Sequence, residues 1–299
     1  MTEDITLYAG WTVSEQFKLM PGGRYYFDLS AMDVVGTPND LLPDTTFHYV
    51  PFIYTGTVNA YVLKPASVGV VSSSEEAAKA ADKDAQYGYA YPHSLFIADD
   101  LLTVDVKWTD LNSAGLIFGK TCTLSGVTYT LRAPSIGSFQ DFDDYKIGLP
   151  ANNDWQQILD KNSDFIKMSE NNSYVWGQDT YCDQDQNSSR SFRSTYNQLW
   201  GAPESAKRAY RPVLEVMNAE SLGADALKIV TLDLGGKKFN GEGSINIIVK
   251  NGESFTAPAK ECLTAPVGYA FGGWSDGENT YAPGESVPQS VSVLTAVWK

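Results

Sequence analysis

The two ends of the chain carry the same alternating pattern, and this pattern constrains the fold more than any other feature. Each end places a Leu, an Ala and a Trp at every second position: Leu7, Ala9 and Trp11 near the start, and Leu294, Ala296 and Trp298 near the end. Alternation with period two is the pattern of a strand with one buried face. Both ends are therefore predicted to be strands, and the chain is predicted to be built largely from β modules.

Strand and turn signals recur in a fixed order over residues 227–299. The signals are two apolar strand segments, then Phe-Thr-Ala-Pro, Gly-Tyr-Ala-Phe-Gly-Gly-Trp and Tyr-Ala-Pro-Gly, at 228–234, 245–249, 255–258, 268–274 and 281–284. This order resembles the internalin-type B-repeat (Listeria–Bacteroides repeat), a small β-grasp-like module of bacterial surface proteins. The resemblance implies a spacer module at 227–299 after a linker at 219–226. It also implies that residues 1–12 are the last strand of a preceding module.

The charge balance bears on the kind of partner. The formal net charge is -14 over 299 residues, and charged residues are only 19% of the chain. An acidic chain without clustered Lys and Arg is a poor nucleic-acid binder and a poor match for an anionic membrane surface. No apolar run is long enough to span a bilayer, so no membrane insertion is predicted. The Tyr-rich, Gly-rich and lightly charged composition is typical of β-rich extracellular modules.

Cysteine and histidine usage gives no sign of a metal centre. The chain has three cysteines, Cys122, Cys182 and Cys262, with no Cys-x-x-Cys pair, and two histidines, His48 and His93. A structural zinc site is not expected, no cofactor is predicted, and one disulfide remains possible. No signal peptide is visible at the N-terminus. If the protein is secreted, as its composition suggests, the signal lay on a part of the chain not shown.

The region between the two end modules mixes strand signals with a few helix signals. Strands are predicted at 24–29, 49–54, 58–63, 94–98, 102–106 and 127–131, with 94–98 and 102–106 as a pair. Helices are predicted from Thr109, as N-cap, to Leu116, and over 153–159 with Asn152 or Asn153 as cap. Residues 72–87 are predicted as a solvated helix or a loop insertion, and 134–148 as a loop.

Three motifs of this middle region resemble one family. They are Leu-Pro-Ala-Asn-Asn-Asp-Trp at 149–155, Ser-Tyr-Val-Trp-Gly-Gln-Asp at 173–179 and Ala-Tyr-Arg-Pro-Val-Leu at 209–214. They look like the helix start, the Trp-rich strand and the closing strand of formylglycine-generating-enzyme-like domains, a branch of the C-type lectin fold. The resemblance implies an α+β fold class: a C-type-lectin-like domain with mixed strands and a few helices at 13–218, plus the small β-grasp-like repeat domain. The family's oxidase would need reactive cysteines that bind copper. Cys182 is alone in its region, so that activity is not expected.

The segment 178–208 is the predicted ligand-binding region. Leu199 is its one large aliphatic residue, so we predict that it cannot build a core and lies over the surface, pinned by the strands on either side. The segment is rich in Tyr, Ser, Asn and Arg and contains a Trp, which is the composition of an antibody paratope. The predicted ligand-binding residues are Tyr181, Asp183, Asp185, Asn187, Arg190, Phe192, Arg193, Tyr196, Asn197 and Trp200. Trp176 and Tyr210 are predicted as framing core residues.

Basic residues in this segment indicate the chemistry of a ligand. Arg190, Arg193, Lys207 and Arg208 would suit a partner with acidic or carboxylate groups. In position the segment resembles the variable region of the variable proteins of diversity-generating retroelements, which display ligand-binding loops on the C-type lectin fold. That region commonly closes the chain, whereas here a B-repeat follows. A plain polar surface loop is the alternative interpretation.

No motif points clearly to catalysis. The chain has no Gly-x-Ser-x-Gly elbow and no phosphate-binding loop. The run Asp183–Asn187 has the spacing that begins a calcium loop, but an EF-hand would need Gly and Glu where the chain has Ser188 and Ser194. Paired carboxylates of a glycosidase remain open. We predict a non-enzymatic extracellular, cell-surface or phage-borne protein that binds a protein or glycan on another surface. The alternative is a structural spacer in a bacterial adhesin array.

Overall fold

The structure, a computed structural model, describes residues 13–63, 90–141, 143–167, 174–181, 189–261 and 263–299. Residues 13–218 build two six-stranded sheets and a two-stranded one. Their strands are β1 (Arg24–Phe27), β2 (Thr37–Pro38), β3 (Val50–Tyr61), β4 (Ala90–Ala98), β5 (Thr103–Lys107), β6 (Lys120–Leu124), β7 (Val127–Arg132), β8 (Phe139–Gln140), β9 (Gly148–Leu149), β10 (Val175–Tyr181), β11 (Ser189–Arg193), β12 (Leu199–Ala202), β13 (Lys207–Tyr210) and β14 (Val213–Val216).

The two large sheets share consecutive strands. The first has the order β1-β3-β4-β14-β7-β6 and the second the order β12-β11-β10-β13-β5-β2, while β8 pairs with β9. The final strands β13 and β14 are separated only by Arg211 and Pro212, yet they belong to different sheets. Buried residues of both sheets meet in two hydrophobic clusters, one that contains Trp176 and Tyr210 and one around Trp155.

The described helices are short. They are α1 (Trp108–Ser113), α2 (Asp154–Lys161) and α3 (Ala219–Leu222), with 3-10 turns at Ser30–Met32 and Ser163–Phe165. The predicted cap of α2 is confirmed, because the Asn153 side chain accepts a hydrogen bond from the Gln156 N–H. The predicted start of α1 is wrong: the helix begins at Trp108 rather than after Thr109. Burial of the Trp108 ring, whose Nε1 donates to the Gly177 carbonyl, fixes the helix start instead.

Two strand predictions also need correction. Residues 49–54 and 58–63 were predicted as separate strands, but β3 runs through both with a register shift between Tyr54 and Gly56. Gly56 has a φ of +83°, which a glycine adopts without strain, so the strand bends there instead of ending. The predicted pair 94–98 and 102–106 forms two strands, β4 and β5, that lie in different sheets.

The C-terminal part forms a smaller mixed sheet. Its strands are β15 (Leu227–Asp233), β16 (Ser244–Lys250), β17 (Phe255–Thr256), β18 (Phe271–Ser275), β19 (Thr280–Tyr281), β20 (Ser286–Val287) and β21 (Val293–Trp298). Five of them have the order β16-β15-β21-β18-β19, with β15 and β21 parallel. Leu294 and Ala296 face the core of this sheet, as their alternation predicts.

The two parts of the molecule pack directly on one another. The Tyr26 ring on β1 lies edge-on to Phe239, with 6.0 Å between ring centroids, and the Tyr26 hydroxyl donates to Glu242 over 3.1 Å. Leu227 and Ile248 from the C-terminal sheet are in turn buried in the core of the first part. The predicted linker 219–226 contains α3.

In coarse terms, the predicted class is confirmed as a strand-rich fold with few helices. None of the described helices is long and apolar enough to cross a membrane. The predictions for residues 1–12 and 72–87 lie outside the described residues, as do Cys182 and Cys262. Cys122 is a half-buried free thiol.

Candidate functional site

The segment 178–208 is part of a sheet rather than a layer over it, so the prediction of a surface loop is wrong. It supplies β11 and β12 and one end each of β10 and β13. Two of its apolar side chains are buried against residues from elsewhere in the chain: Phe192 joins the core of the first part, and Leu199 packs in the cluster around Trp155. Hydrogen bonds between the strands pair the backbone N–H and carbonyl groups, so the segment needs no hydrophobic core of its own.

One face of these strands carries a row of aromatic rings. Trp176 on β10 is opposite Phe192 on β11, and Phe192 is opposite Trp200 on β12. Residues opposite each other in an antiparallel pair share a face of the sheet. Along this row the side chains pass from interior to solvent, with Trp176 fully buried, Phe192 6% exposed and Trp200 45% exposed. The ring at the edge strand is the one that solvent reaches.

The turn between β11 and β12 presents a second exposed ring. Its backbone closes through bonds from the Ser194 N–H to the Gln198 carbonyl and from the Asn197 N–H to the Ser194 carbonyl. Tyr196 lies at the tip and is 78% exposed. Beside the hairpin, the Tyr145 carbonyl accepts from the Leu199 N–H, and the Tyr145 side chain is also exposed. We call the side chains of Tyr145, Tyr196 and Trp200 the hairpin surface.

The hairpin tip is fastened from below. Trp155 on α2 donates from Nε1 to the Asn197 side-chain oxygen over 2.5 Å. Asn197 has a φ of +62°, a conformation that Asn tolerates better than most residues. Fixing both its side chain and its backbone leaves the tip little freedom, so Asn197 positions Tyr196.

Arg193 is a second fastening, and not the ligand contact that the sequence predicts. Its guanidinium is fully buried and donates to the carbonyls of Lys146 and Ile136, both over 2.7 Å, and of Asn197 over 3.1 Å. Burial lowers the pKa of Arg193 to about 10, so it stays charged at neutral pH. Phe192 is also buried, and this part of the predicted contact set is corrected for the same reason. Phe192 and Arg193 are adjacent in β11 and point to opposite faces of the sheet, so both faces of the strand are buried at this point.

Arg190 has its charge balanced within the site. Its Nε and Nη2 both donate to Glu204, over 3.0 and 2.8 Å, and Nη1 donates to the Thr180 hydroxyl. The guanidinium also lies over the Trp108 ring, 3.9 Å from the centroid. Of the four basic residues in the segment, Arg190 and Arg193 are therefore committed to internal contacts.

The remaining predicted contacts fall in two groups. Tyr181 is half-buried, and its ring lies on Gly201, where a Cβ would come within 2.2 Å of it. Asp183, Asp185 and Asn187 lie outside the described residues. The two predicted framing residues, Trp176 and Tyr210, are confirmed as fully buried core.

A buried network of charges lies in the interior, away from the hairpin surface. Arg132 on β7 donates to Asp154 over 2.5 Å and to Glu215 over 2.8 Å. Tyr91 donates to the second Glu215 oxygen, and His93 is 3.0 Å from Asp154. Although burial alone would raise the pKa of Asp154, Arg132 and then His93 hold it well below its usual range.

This network borders a cleft of about 490 Å³ that Tyr91, His93, Glu215 and Asn218 help to line. A cleft with converging ionisable groups is the usual place to look for an active site. Here, however, Arg132 pairs with both carboxylates. Asp154 also accepts from the Ser135 N–H and lies beside His93, and Glu215 also accepts from the Tyr91 hydroxyl. The arrangement is that of a structural ion network.

Among the described residues, Asp179 is the one buried carboxylate of this region whose pKa is raised. Tyr61 donates to one oxygen over 2.6 Å and the Ile136 N–H to the other over 2.7 Å. Both bonds favour the charged form, but burial outweighs them and raises the pKa to about 6. Arg193 donates to the carbonyl of the same Ile136. Ile136 is therefore bonded both to Asp179, through its N–H, and to Arg193, which holds the hairpin.

Sequence reasoning missed Tyr145, the link between Trp155 and Asn197, and the network around Arg132. Tyr145 stands in the stretch predicted as a loop, and the backbone bond to Leu199 brings it to the hairpin. Arg132 is the last residue of an alternating strand. From its position in the sequence alone, it would be expected to face solvent. A single sequence holds no signal for such long-range pairings.

Comparison with known protein families, curated proteins and solved structures finds no match for this chain. Among the described residues, no group of three or more His, Cys, Asp or Glu side chains is arranged to hold a metal ion.

Proposed function

We propose that this protein is a non-enzymatic ligand-binding protein whose binding site is the hairpin surface. The observation that carries the proposal is the exposure of Tyr196 and Trp200 on a hairpin whose Arg193 and Asn197 side chains are held by internal hydrogen bonds. Large exposed aromatic rings on a rigid support are characteristic of recognition sites, because they bury apolar area at a low cost in side-chain entropy. The ligand is a protein or glycan on another surface, reached from an extracellular, cell-surface or phage-borne position.

The three lectin-like motifs support the same proposal. The motif at 149–155 leads into α2, the motif at 173–179 into β10, and the motif at 209–214 spans β13 and β14. In a C-type-lectin-like domain these elements frame the display region, and here they surround the hairpin. On this proposal the polar positions of 178–208 differ between copies of the gene while the buried ones do not.

A structural spacer is the second candidate function, and one observation favours it. The C-terminal sheet is packed into the first part through Tyr26 and Ile248, and Arg24 of the first part pairs with Glu242 across the junction over 2.9 Å. Such a junction transmits force as a rigid spacer would. A spacer, however, gives no role to exposed rings on a fastened hairpin.

The test is a binding screen on arrays of surface proteins and glycans. Wild-type protein should bind one or a few ligands, and the double variant Tyr196→Ala/Trp200→Ala should lose that binding. The matched control is Tyr269→Ala/Val267→Ala, which removes an exposed ring and an exposed aliphatic side chain from the C-terminal part. The control should bind like wild type.

Three results would count against the proposal. Equal loss of binding in both double variants would place the site elsewhere or show a general loss of surface adhesion. Binding that survives in Tyr196→Ala/Trp200→Ala would show that the hairpin surface takes no part, and a wild-type protein that binds nothing would favour the spacer.

A further inference from the structure

We propose that the cleft between the first part of the molecule and the C-terminal part binds a small amphipathic cation, which is an aromatic or alkyl group with an ammonium head. We call this cleft the junction cleft. The inference goes beyond the proposed function, because it assigns a second site that shares no residue with the hairpin surface. It depends on the volume of the cleft, on its apolar lining and on the sign of the charges that line it.

The junction cleft has the volume of a small-molecule site. It measures about 440 Å³, and such sites usually measure roughly 300–1,000 Å³. One wall comes from the first part, within 26–31 and at 123–125. The other comes from the C-terminal part, at 247–248, within 256–261 and at 283–284. Ligand sites occur preferentially at junctions of this kind.

Hydrogen bonds across the junction fix the two walls relative to each other. The Lys250 N–H donates to the Ser125 carbonyl over 2.9 Å. The Tyr49 hydroxyl donates to the Ala259 carbonyl. The junction cleft is therefore formed before a ligand arrives, and binding needs little ordering of the chain.

Buried apolar side chains line the inside of the junction cleft. Tyr26, Phe27 and Tyr49 come from the first part, and Ile247 and Ile248 come from the C-terminal part. An aromatic or alkyl group that enters the cleft loses its contact with water against these side chains. That burial is the main source of affinity for the apolar part of a ligand.

The charged groups of the lining are carboxylates. Asp28 and Glu261 line the junction cleft, and among the described residues no Lys, Arg or His side chain does. Asp28 is already engaged, because one oxygen accepts from the Ser30 N–H and the other lies 3.1 Å from Nδ1 of His48. Glu261 is exposed, accepts from the Lys260 N–H and forms no ion pair with a described residue. Glu261 is therefore the carboxylate that is available to an ammonium head.

A cation suits this lining better than an anion or a neutral molecule does. An anion would lie near two carboxylates without a described cation on the lining to offset them. A neutral molecule would gain nothing from the charge of Glu261. The net charge of -14 over the whole chain also favours a cation. A peptide of several residues is larger than the cleft, so a single apolar group with a charged head fits it better.

The test compares three ligands that share a phenyl ring on a three-carbon chain and differ in the head group. They are phenylpropylamine, phenylpropanol and phenylpropionate. Calorimetric titration of the full chain at neutral pH should show that the amine binds at least fivefold tighter than the alcohol, and that the carboxylate binds most weakly. Glu261→Gln should bring the affinities for amine and alcohol within twofold of each other.

The matched control is Glu278→Gln. It makes the same change in net charge at an exposed position of the C-terminal part, and Glu278 does not line the junction cleft. This variant should keep the fivefold preference for the amine.

A variant that fills the junction cleft shows where the ligands bind. Ala31 is exposed and lines the cleft, so Ala31→Trp should weaken binding of the amine at least tenfold. Ala224→Trp makes the same change at an exposed alanine outside the cleft and should leave the affinity unchanged. If Ala31→Trp does not fold, as judged by circular dichroism, Thr256→Trp takes its place, because Thr256 is an exposed lining residue of the opposite wall.

Several outcomes would overturn the inference: equal affinity for amine and alcohol, no binding of the amine at millimolar concentration, undiminished binding in the cleft-filling variant, or the same loss in Glu278→Gln as in Glu261→Gln. Tighter binding of tetralysine than of the amine would also overturn it, because it would assign the affinity to charge alone. The proposed function is tested separately, since Tyr196→Ala/Trp200→Ala leaves every lining residue of the junction cleft in place.

Discussion

The interior network around Arg132 and the hairpin surface both contain aromatic side chains, but they differ in how much bonding capacity remains. Arg132 pairs with the carboxylates of Asp154 and Glu215. Asp154 is also bonded to the Ser135 N–H and lies 3.0 Å from the His93 ring nitrogen. Glu215 also accepts from the Tyr91 hydroxyl. On the hairpin surface, the rings of Tyr196 and Trp200 face solvent. Residue types alone therefore do not identify a binding site. The two regions differ in how many contacts their side chains can still make with a ligand.

The largest effect is expected when the interior network is broken. Asp154→Asn removes a buried charge from Arg132 and should lower the free energy of unfolding by about 3–5 kcal/mol. Denaturant titration measures it. The control is Asp110→Asn, which makes the same change in the first turn of α1 at an exposed position. It should cost less than about 0.5 kcal/mol. Equal effects of the two variants would mean that the network stabilises nothing.

Asp179 is expected to lower the free energy of unfolding as the pH rises, whereas an ordinary paired carboxylate raises it. Because its pKa is raised to about 6 in the folded state, the folded protein holds this proton more tightly than the unfolded chain does. Its contribution to stability is present below about pH 4 and is lost as the pH rises through 6. Over that window the wild type should lose on the order of 3 kcal/mol relative to Asp179→Asn.

Unfolding of both proteins at pH 4, 5, 6 and 7 measures this difference. Asp154 and the other carboxylates titrate alike in the two proteins and cancel in the comparison. A difference that does not change with pH, or that favours the wild type as the pH rises, would show that Asp179 is charged throughout.

A smaller effect is expected at the fastening of the hairpin tip. Trp155→Phe keeps a ring on α2 but removes the Nε1 donor to Asn197. Loss of one buried hydrogen bond should cost about 1–2 kcal/mol of unfolding free energy. Hydrogen exchange should increase at 194–198 more than elsewhere. Uniform exchange across the chain would instead assign the bond to global stability and not to the tip.

How far sequence predicts this molecule follows from the range of the contacts involved. Local signals were sufficient for α2, whose cap Asn153 bonds three residues ahead, and for the alternating strand at 293–298. They failed for the pairing of β4 with β5, which depends on where the chain crosses between sheets. Local composition marked 178–208 as unusual, but the assignment of Phe192 and Arg193 to the interior follows from partners more than 15 residues away, such as Trp176 and Ile136.

The central claim is that the exposed end of the aromatic row is free to bind while its buried end holds the fold. The most direct measurement is the free energy of unfolding of Tyr196→Ala/Trp200→Ala beside that of Trp176→Ala. We expect the double variant to lose less than about 1 kcal/mol and Trp176→Ala to lose about 3–5 kcal/mol. A loss of about 3 kcal/mol or more in the double variant would mean that Tyr196 and Trp200 are part of the core, and would contradict the account.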